Sequence, residues 1–508
     1  MNIKRAKEEI KNTVRAYLEK DENGQYRIPS LRQRPILLMG PPGIGKTQIM
    51  EQVAQECEIA LVAYTITHHT RQSAVGLPFI RQVNFAGKDY SVTEYTMSEI
   101  IASIYRKMES TGLKEGILFI DEINCVSETL APTMLQFLQY KTFGNQAIPQ
   151  GWIIVAAGNP PEYNKSVREF DIVTLDRVRR MDLEPDLTVW KEYARGQRLH
   201  PALLSYLELR PQNFYKINAD VDGTQFVTAR GWEDLSGLLE EYQRLGLTVD
   251  EDVVSQYLQH REIAKDVASY LDLYRKYADD YGVSDILQGL VDPKVYQRVY
   301  AAPFDERLSL VGLILSGVNT LIIQSRDTEA VTDQCYQVLK EFRSRLNEGI
   351  VIALMIYQEL VEEYEGETRR MEQSGLADRR TLTCRKDAAR LLRGWMPDSG
   401  LDGEAAFQQV RGMFNHQVRL REESLGHASE ALENAFDFME AAFANGQEMV
   451  VFVTELTLGP DSHAFITENG CERYFQYNKT LMLDSRRAAL MAELEQDDLR
   501  SQEGSAPF

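Results

Sequence analysis

Cysteine is scarce: Cys57, Cys125, Cys335, Cys384 and Cys471 are the five present in 508 residues. Odd in number and widely scattered, they suit neither a disulfide framework nor a paired metal-ligand spacing, and a reducing cytoplasm is the expected location. A basic surplus is missing as well. Fifty-six Lys and Arg stand against seventy-six Asp and Glu, and the net charge of −20 disfavours nucleic acid as a partner. No apolar leader core opens the chain, because Ile3, Ala6, Ile10, Val14 and Leu18 recur at helical spacing among charges. Internal repeats are absent, and the polar stretch 495–508 reads as a frayed tail. Charge is lacking altogether in 308–325, but Ser309, Gly312, Ser316, Gly317, Asn319 and Thr320 interrupt it. A buried core helix is expected there, with no membrane involved.

What is present suffices for two to four domains, since 44% of the residues are hydrophobic and the length exceeds a single core. Short apolar runs at 35–39, 59–64, 116–120 and 152–157 read as buried strands, and they alternate with helical patterns at 48–57, 98–110 and 129–140. That rhythm predicts an α/β domain whose mostly parallel sheet has helices on both faces. Past Pro185 the spacing becomes helical at 189–194, 202–209 and 232–245, with almost no strand-like runs. Helical stretches follow at 332–346, 350–363, 387–394 and 405–420, whereas 449–454 is ambiguous between strand and helix. The expected organisation is 1–186 as the sheet domain, 187–290 as a small helical domain, and 291–508 as a mainly helical region.

Chemistry concentrates in the first of these. Gly40, Pro41, Pro42, Gly43, Ile44, Gly45, Lys46 and Thr47 match the phosphate-loop pattern G-x-x-x-x-G-K-[ST] in full, between a strand and a helix. The glycines let backbone N–H groups turn inward around phosphates at the positive end of the following helix. Lys46 would neutralise the β- and γ-phosphates, and Thr47 would bind Mg²⁺. The strand 116–120 runs into Asp121 and Glu122, a pair in which Asp121 would position the metal and Glu122 would deprotonate the attacking water. Asn159, at the end of the next strand, could reach the γ-phosphate or that water. Arg177 and Arg230 are candidate γ-phosphate sensors, because a guanidinium fork spreads over several phosphate oxygens.

These motifs, in this order, resemble the AAA+ superfamily and within it the MoxR-like ATPases. The resemblance rests on residues 40–47 (Walker A), 117–122 (Walker B), Asn159 (sensor 1), Leu175-Asp176-Arg177 (arginine finger) and Thr228-Ala229-Arg230 (sensor 2). It implies a P-loop αβα domain with a helical lid, ATP and Mg²⁺ as ligands, a homo-oligomeric ring, usually a hexamer, and Arg177 acting on the neighbouring subunit's site. A protein client, with a von Willebrand A domain protein as the implied partner class, completes the picture. The match departs from the family where Val178 replaces an aromatic, and Arg179 and Arg180 crowd the finger position, leaving three arginines in contention. A slowly hydrolysing switch or scaffold is the second reading, and a nucleic-acid motor the third.

Two further segments invite functional readings. His68 and His69 suggest a metal, but no third ligand is spaced to join them, and Arg71 nearby is a candidate for sensing nucleotide or engaging a client. In 141–144 Phe143 is either the tip of a client-contacting loop or part of a bare turn.

Overall fold

The computed structural model describes residues 1–68, 76–143, 146–163, 167, 170–220, 223–348, 352–375 and 377–481. Its strands are β1 (Ile36–Met39), β2 (Ala60–Thr65), β3 (Pro78–Phe85), β4 (Lys88–Tyr95), β5 (Gly116–Asp121), β6 (Thr142–Phe143), β7 (Gln146–Ala147), β8 (Trp152–Gly158), β9 (Arg179–Asp182), β10 (Lys216–Asp220) and β11 (Gly223–Val227). Five of them form a parallel sheet in the order β2-β5-β8-β1-β9.

Alternation along each strand splits the apolar side chains between two cores. Leu37, Leu118, Ile120 and Ile154 face the helices Glu99–Thr111 and Ala131–Tyr140. Ile36, Leu38, Ile117, Phe119 and Ile153 face Ile3–Leu18 and Lys46–Glu56. The central strands are thus covered on both faces, which is why they read as unbroken apolar runs. The register sets Met39 beside Gly158 and Thr65 beside Asp121, so the strand exits share one edge of the sheet.

The lid helices Leu187–Gly196, Pro201–Leu209, Ala229–Leu245 and Arg261–Tyr281 enclose a core around Tyr206 and Trp232. Two elements were not anticipated. The hairpin β10–β11 interrupts the lid, where the sequence shows almost no strand-like run. A longer hairpin, β3–β4, follows β2, and Phe79, Ile80, Phe85 and Tyr90 on it are exposed.

Beyond the lid the chain is helical, and 449–454 resolves as helix within Gln447–Leu458. Phe304–Glu348 is one helix of 45 residues, about 68 Å long at 1.5 Å per residue, and Gly403–Phe443 runs beside it for 41 residues. The uncharged stretch belongs to the first of these; Leu310, Val311, Ile314, Val318 and Ile322 are fully buried in a proximal core with Phe436, Met439 and Phe452. Length and composition alone would let this helix cross a membrane, yet its apolar face is used for packing. A distal core gathers Phe342, Tyr357, Leu392 and Trp395, adding the helices Ala353–Ser374 and Arg379–Gly394. The region from 291 onward therefore contains two cores strung on one helix pair. Tyr281 and Ile286 reach into the proximal core, and Leu313 reaches back into the lid core. The distal lobe also touches the sheet domain. There Lys107 Nζ donates to the carbonyl of Ser374 (3.2 Å) and Gln55 Nε2 to that of Gly375 (3.1 Å).

Candidate nucleotide site

The loop 40–47 leaves β1 and enters the Lys46–Glu56 helix, with Gly43 and Gly45 at φ +70° and +92°. At Gly43 a side chain is excluded twice over, by that dihedral and by Thr228, whose Oγ1 lies 2.8 Å from where a Cβ would sit. The lid is pinned to the same loop. Arg230 N–H donates to the Gly43 carbonyl (3.1 Å), and Tyr215 O–H donates to the Pro42 carbonyl (2.8 Å). One turn into the helix, Gln48 Nε2 donates to both carboxylate oxygens of Glu233 (3.1 Å each), which also accepts from Tyr193 O–H.

Lys46 is buried, and its ammonium donates to the carbonyls of Gly40 (2.8 Å) and Pro41 (2.9 Å) and to Asn159 Oδ1 (2.9 Å). It forms no ion pair among the described residues. Burial is the main reason that its pKa falls from 10.5 to about 8; Asp121 and Glu122 work against the fall, and the charge of Arg230 adds to it. A desolvated cation beside a second cation, held only by neutral oxygens, is an arrangement that an anion completes.

Thr47 Oγ1 lies 3.2 Å from Asp121 Oδ2, so a hydroxyl and a carboxylate converge at the end of β5. Two hard oxygens are what a magnesium ion takes from protein when phosphate oxygens and waters supply the rest, and these residues fit one. Among the described residues no group of three or more His, Cys, Asp or Glu could hold a metal by itself. The segment of His69 and Arg71, and the side chain of His68, lie outside those residues.

Glu122 has φ +56°, unusual for a residue with a side chain, and its N–H is held by Asp121 Oδ1 (2.9 Å). That turn takes the Glu122 carboxylate out of the strand's alternation. Asn159 reaches the site because β8 neighbours β5: its Oδ1 meets Lys46, and its carbonyl accepts from Asn124 Nδ2 (2.8 Å). Asn124, buried two residues beyond Glu122, was not singled out by sequence reasoning. Its signal was there, since a polar side chain two residues after a strand-terminal Asp-Glu lies close to the neighbouring strand's exit. Gly158 leaves room for it, as a Cβ there would fall 2.6 Å from Asn124 Oδ1.

The three crowded arginines separate. Arg179 is tied to Glu9 (2.6 Å) and Thr13 of the first helix, and Arg180 to Asp182 (2.8 Å). Arg177 is exposed, and its guanidinium donates only to Gln139 among the described residues. Arg230, from the lid, bears electrostatically on Lys46. Phe143 corrects an expectation: it is 1% exposed and stacked on Phe137 with ring centroids 3.9 Å apart, so it is core and no loop tip. Lys141 beside it is equally buried, reaching Gln33 Oε1 at 3.2 Å.

Comparison with known proteins agrees with this geometry over the sheet domain. No curated protein matches the chain. Residues 36–175 match the family model for ATPases associated with various cellular activities, AAA. That span opens with β1, includes the phosphate loop, Asp121, Glu122 and Asn159, and ends two residues short of Arg177, so this part of the chain carries an AAA-type ATPase domain.

Proposed function

We propose that the chain is a MoxR-like AAA+ remodelling ATPase that works as a ring on a protein client. The observation that carries the catalytic reading is Lys46, a buried ammonium bonded to three neutral oxygens where a triphosphate would supply the missing charge. In this reading the N–H groups of residues 43–47 and the Lys46 ammonium grip the β- and γ-phosphates. Magnesium, held by Thr47 and Asp121, would neutralise the charge shared between those phosphates. Glu122 accepts a proton from the attacking water, and Asn159 holds that water or a γ-oxygen in line. Arg230 stabilises charge on the γ-phosphate from the lid, and Arg177 does so from the adjacent subunit. Support for a ring comes from the surface around Arg177, where Ile172 and Val173 are 85% and 58% exposed. The exposed hairpin β3–β4, with Phe79, Ile80, Phe85 and Tyr90 on its surface, is the proposed client contact, with a von Willebrand A domain protein as the proposed partner class. A reducing cytoplasm is the proposed location, in keeping with five free cysteines.

The test is a paired measurement on the full chain. Wild type should hydrolyse ATP with magnesium and sediment as a ring, while Glu122→Gln should bind ATP, stay assembled and retain a client protein. Hydrolysis undiminished in Glu122→Gln would remove the catalytic assignment. Turnover far below one ATP per subunit per minute, even with the ring formed, would favour the switch reading instead.

A further inference from the structure

Glu122 and Asn124 leave β5 on one short turn. Ile123 N–H donates to the carbonyl of Ala157 (2.9 Å) and Cys125 N–H to that of Glu122 (2.8 Å), which closes residues 122–125 on themselves and stitches them to β8. Asn124 is 2% exposed, and its Nδ2 reaches across to the Asn159 carbonyl.

That carbonyl has no other holder. Asn159 lies one residue past the end of β8, where the ladder runs out, and among the described residues no backbone N–H donates to it. Pro160 and Pro161 follow; they bring no N–H of their own, and the first of them confines Asn159 to extended backbone. Once Asn124 fixes the peptide plane, the Asn159 side chain has few ways to turn. Its Oδ1 is left facing Lys46 Nζ at 2.9 Å.

Stability alone does not account for an amide at this position. Asn124 Oδ1 is buried and accepts no hydrogen bond among the described residues, and an idle buried acceptor works against folding. An apolar side chain of the same shape would remove that penalty. It would also release the Asn159 carbonyl, so the tie to Asn159 is what the amide supplies and a leucine would not.

We propose that Asn124 is a positioning residue for ATP hydrolysis. Too enclosed to meet the nucleotide itself, it fixes Asn159 against the turn that carries Glu122, so that the two side chains serving the attacking water keep one spacing. This inference rests on the hydrolysis reading given above.

A double-mutant cycle with Asn159 tests it on the full chain, read by steady-state hydrolysis, ATP affinity, sedimentation and thermal unfolding. Asn124→Leu should lower kcat about 10- to 100-fold, the scale of a misplacement of about 1 Å, with KM, ATP affinity and assembly unchanged. Its unfolding midpoint should be no lower than that of wild type. Asn159→Ala should lose at least as much kcat, and adding Asn124→Leu to it should change kcat by less than about twofold, because no side chain remains to be positioned. Asn124→Ala should follow the same cycle and stands in if the leucine variant does not fold. Multiplied losses in the double variant, a raised KM with kcat unchanged, or wild-type kcat in the Asn124 variants would each overturn the proposal. While Asn159→Ala is slow, those outcomes leave the hydrolysis reading intact; wild-type turnover in Asn159→Ala would sink the role of Asn159 and this inference together.

Discussion

The sheet domain and the C-terminal helices are built on opposite economies of sequence. In the sheet domain a few residues at strand ends carry all of the chemistry, and the strands behind them serve to set those residues a few ångströms apart. Lys46, Asp121 and Asn159 come from three different strand exits and meet because β1, β8 and β5 are neighbours. In the C-terminal region two helices of 45 and 41 residues hold two cores apart. The first region is specified by identity at few positions, the second by apolar surface at many. A change at one position should therefore act on turnover in the first region and on stability in the second.

The contrast can be broken by experiment. Arg177→Ala should reduce turnover about 10³-fold or more while leaving ATP binding intact, because a trans-acting guanidinium serves the transition state; mixing it with Lys46→Ala chains should restore part of the activity, since an Arg177→Ala chain's intact loop then meets the intact Arg177 of a Lys46→Ala neighbour, and no restoration in mixed rings would place Arg177 elsewhere. In the distal core Phe342→Ala removes a fully buried ring packed edge-on to Tyr357 at 5.0 Å and should cost about 3–5 kcal/mol, read by calorimetry, with nucleotide affinity unchanged. A parallel loss of ATP binding would show that the two regions unfold as one. Glu122→Gln should slow hydrolysis by about 10²- to 10³-fold without weakening ATP binding.

Lys46 supplies a pH test of smaller size. Its pKa of about 8 lies below the unfolded value of 10.5, so its burial costs stability in full below pH 8, and that cost fades as the pH rises toward 10.5. Nucleotide affinity runs the other way. Phosphate needs the ammonium, so affinity should be level below pH 8 and fall above it, by up to about tenfold per pH unit. A fluorescent-nucleotide titration flat to pH 9.5 would rule out that role. The least effect is expected from Arg179→Ala, which loses a half-exposed pair with Glu9 worth about 0.2–1 kcal/mol, with turnover far above that of Arg177→Ala.

Much of the first region could be read from the chain because local patterns there have local causes. The loop 40–47 is recognisable since glycines at fixed offsets are the way to a backbone cradle, and the αβα layering follows from apolar runs buried on both faces. What escaped depended on partners distant in sequence or on faces without a core. Arg179 is engaged by Glu9 and Thr13, some 170 residues earlier, which no window around it could show. Phe143 looked like a turn residue because its partner Phe137 lies on the preceding helix with Lys141, at φ +55°, folding the chain back between them. The hairpin β3–β4 is exposed on both sides, so it lacks the alternation that betrays a strand, although Ala86 and Gly87, both at positive φ, mark its two-residue turn. The long helices blurred for another reason. Their apolar stripes change partners between the proximal and distal cores, so no single period runs their whole length.

The latch from Lys107 and Gln55 to the carbonyls at Ser374 and Gly375 acquires mechanical meaning beside the length of the Phe304–Glu348 helix. Rooted in the lid and fastened to the sheet domain at its far lobe, that helix works as a rigid rod hinged at one end and tethered at the other. A lid swing of about 5° would carry the tip of a rod about 68 Å long by roughly 6 Å, more than two hydrogen bonds can stretch. Each swing of that size would then either flex the rod or unhook the tether.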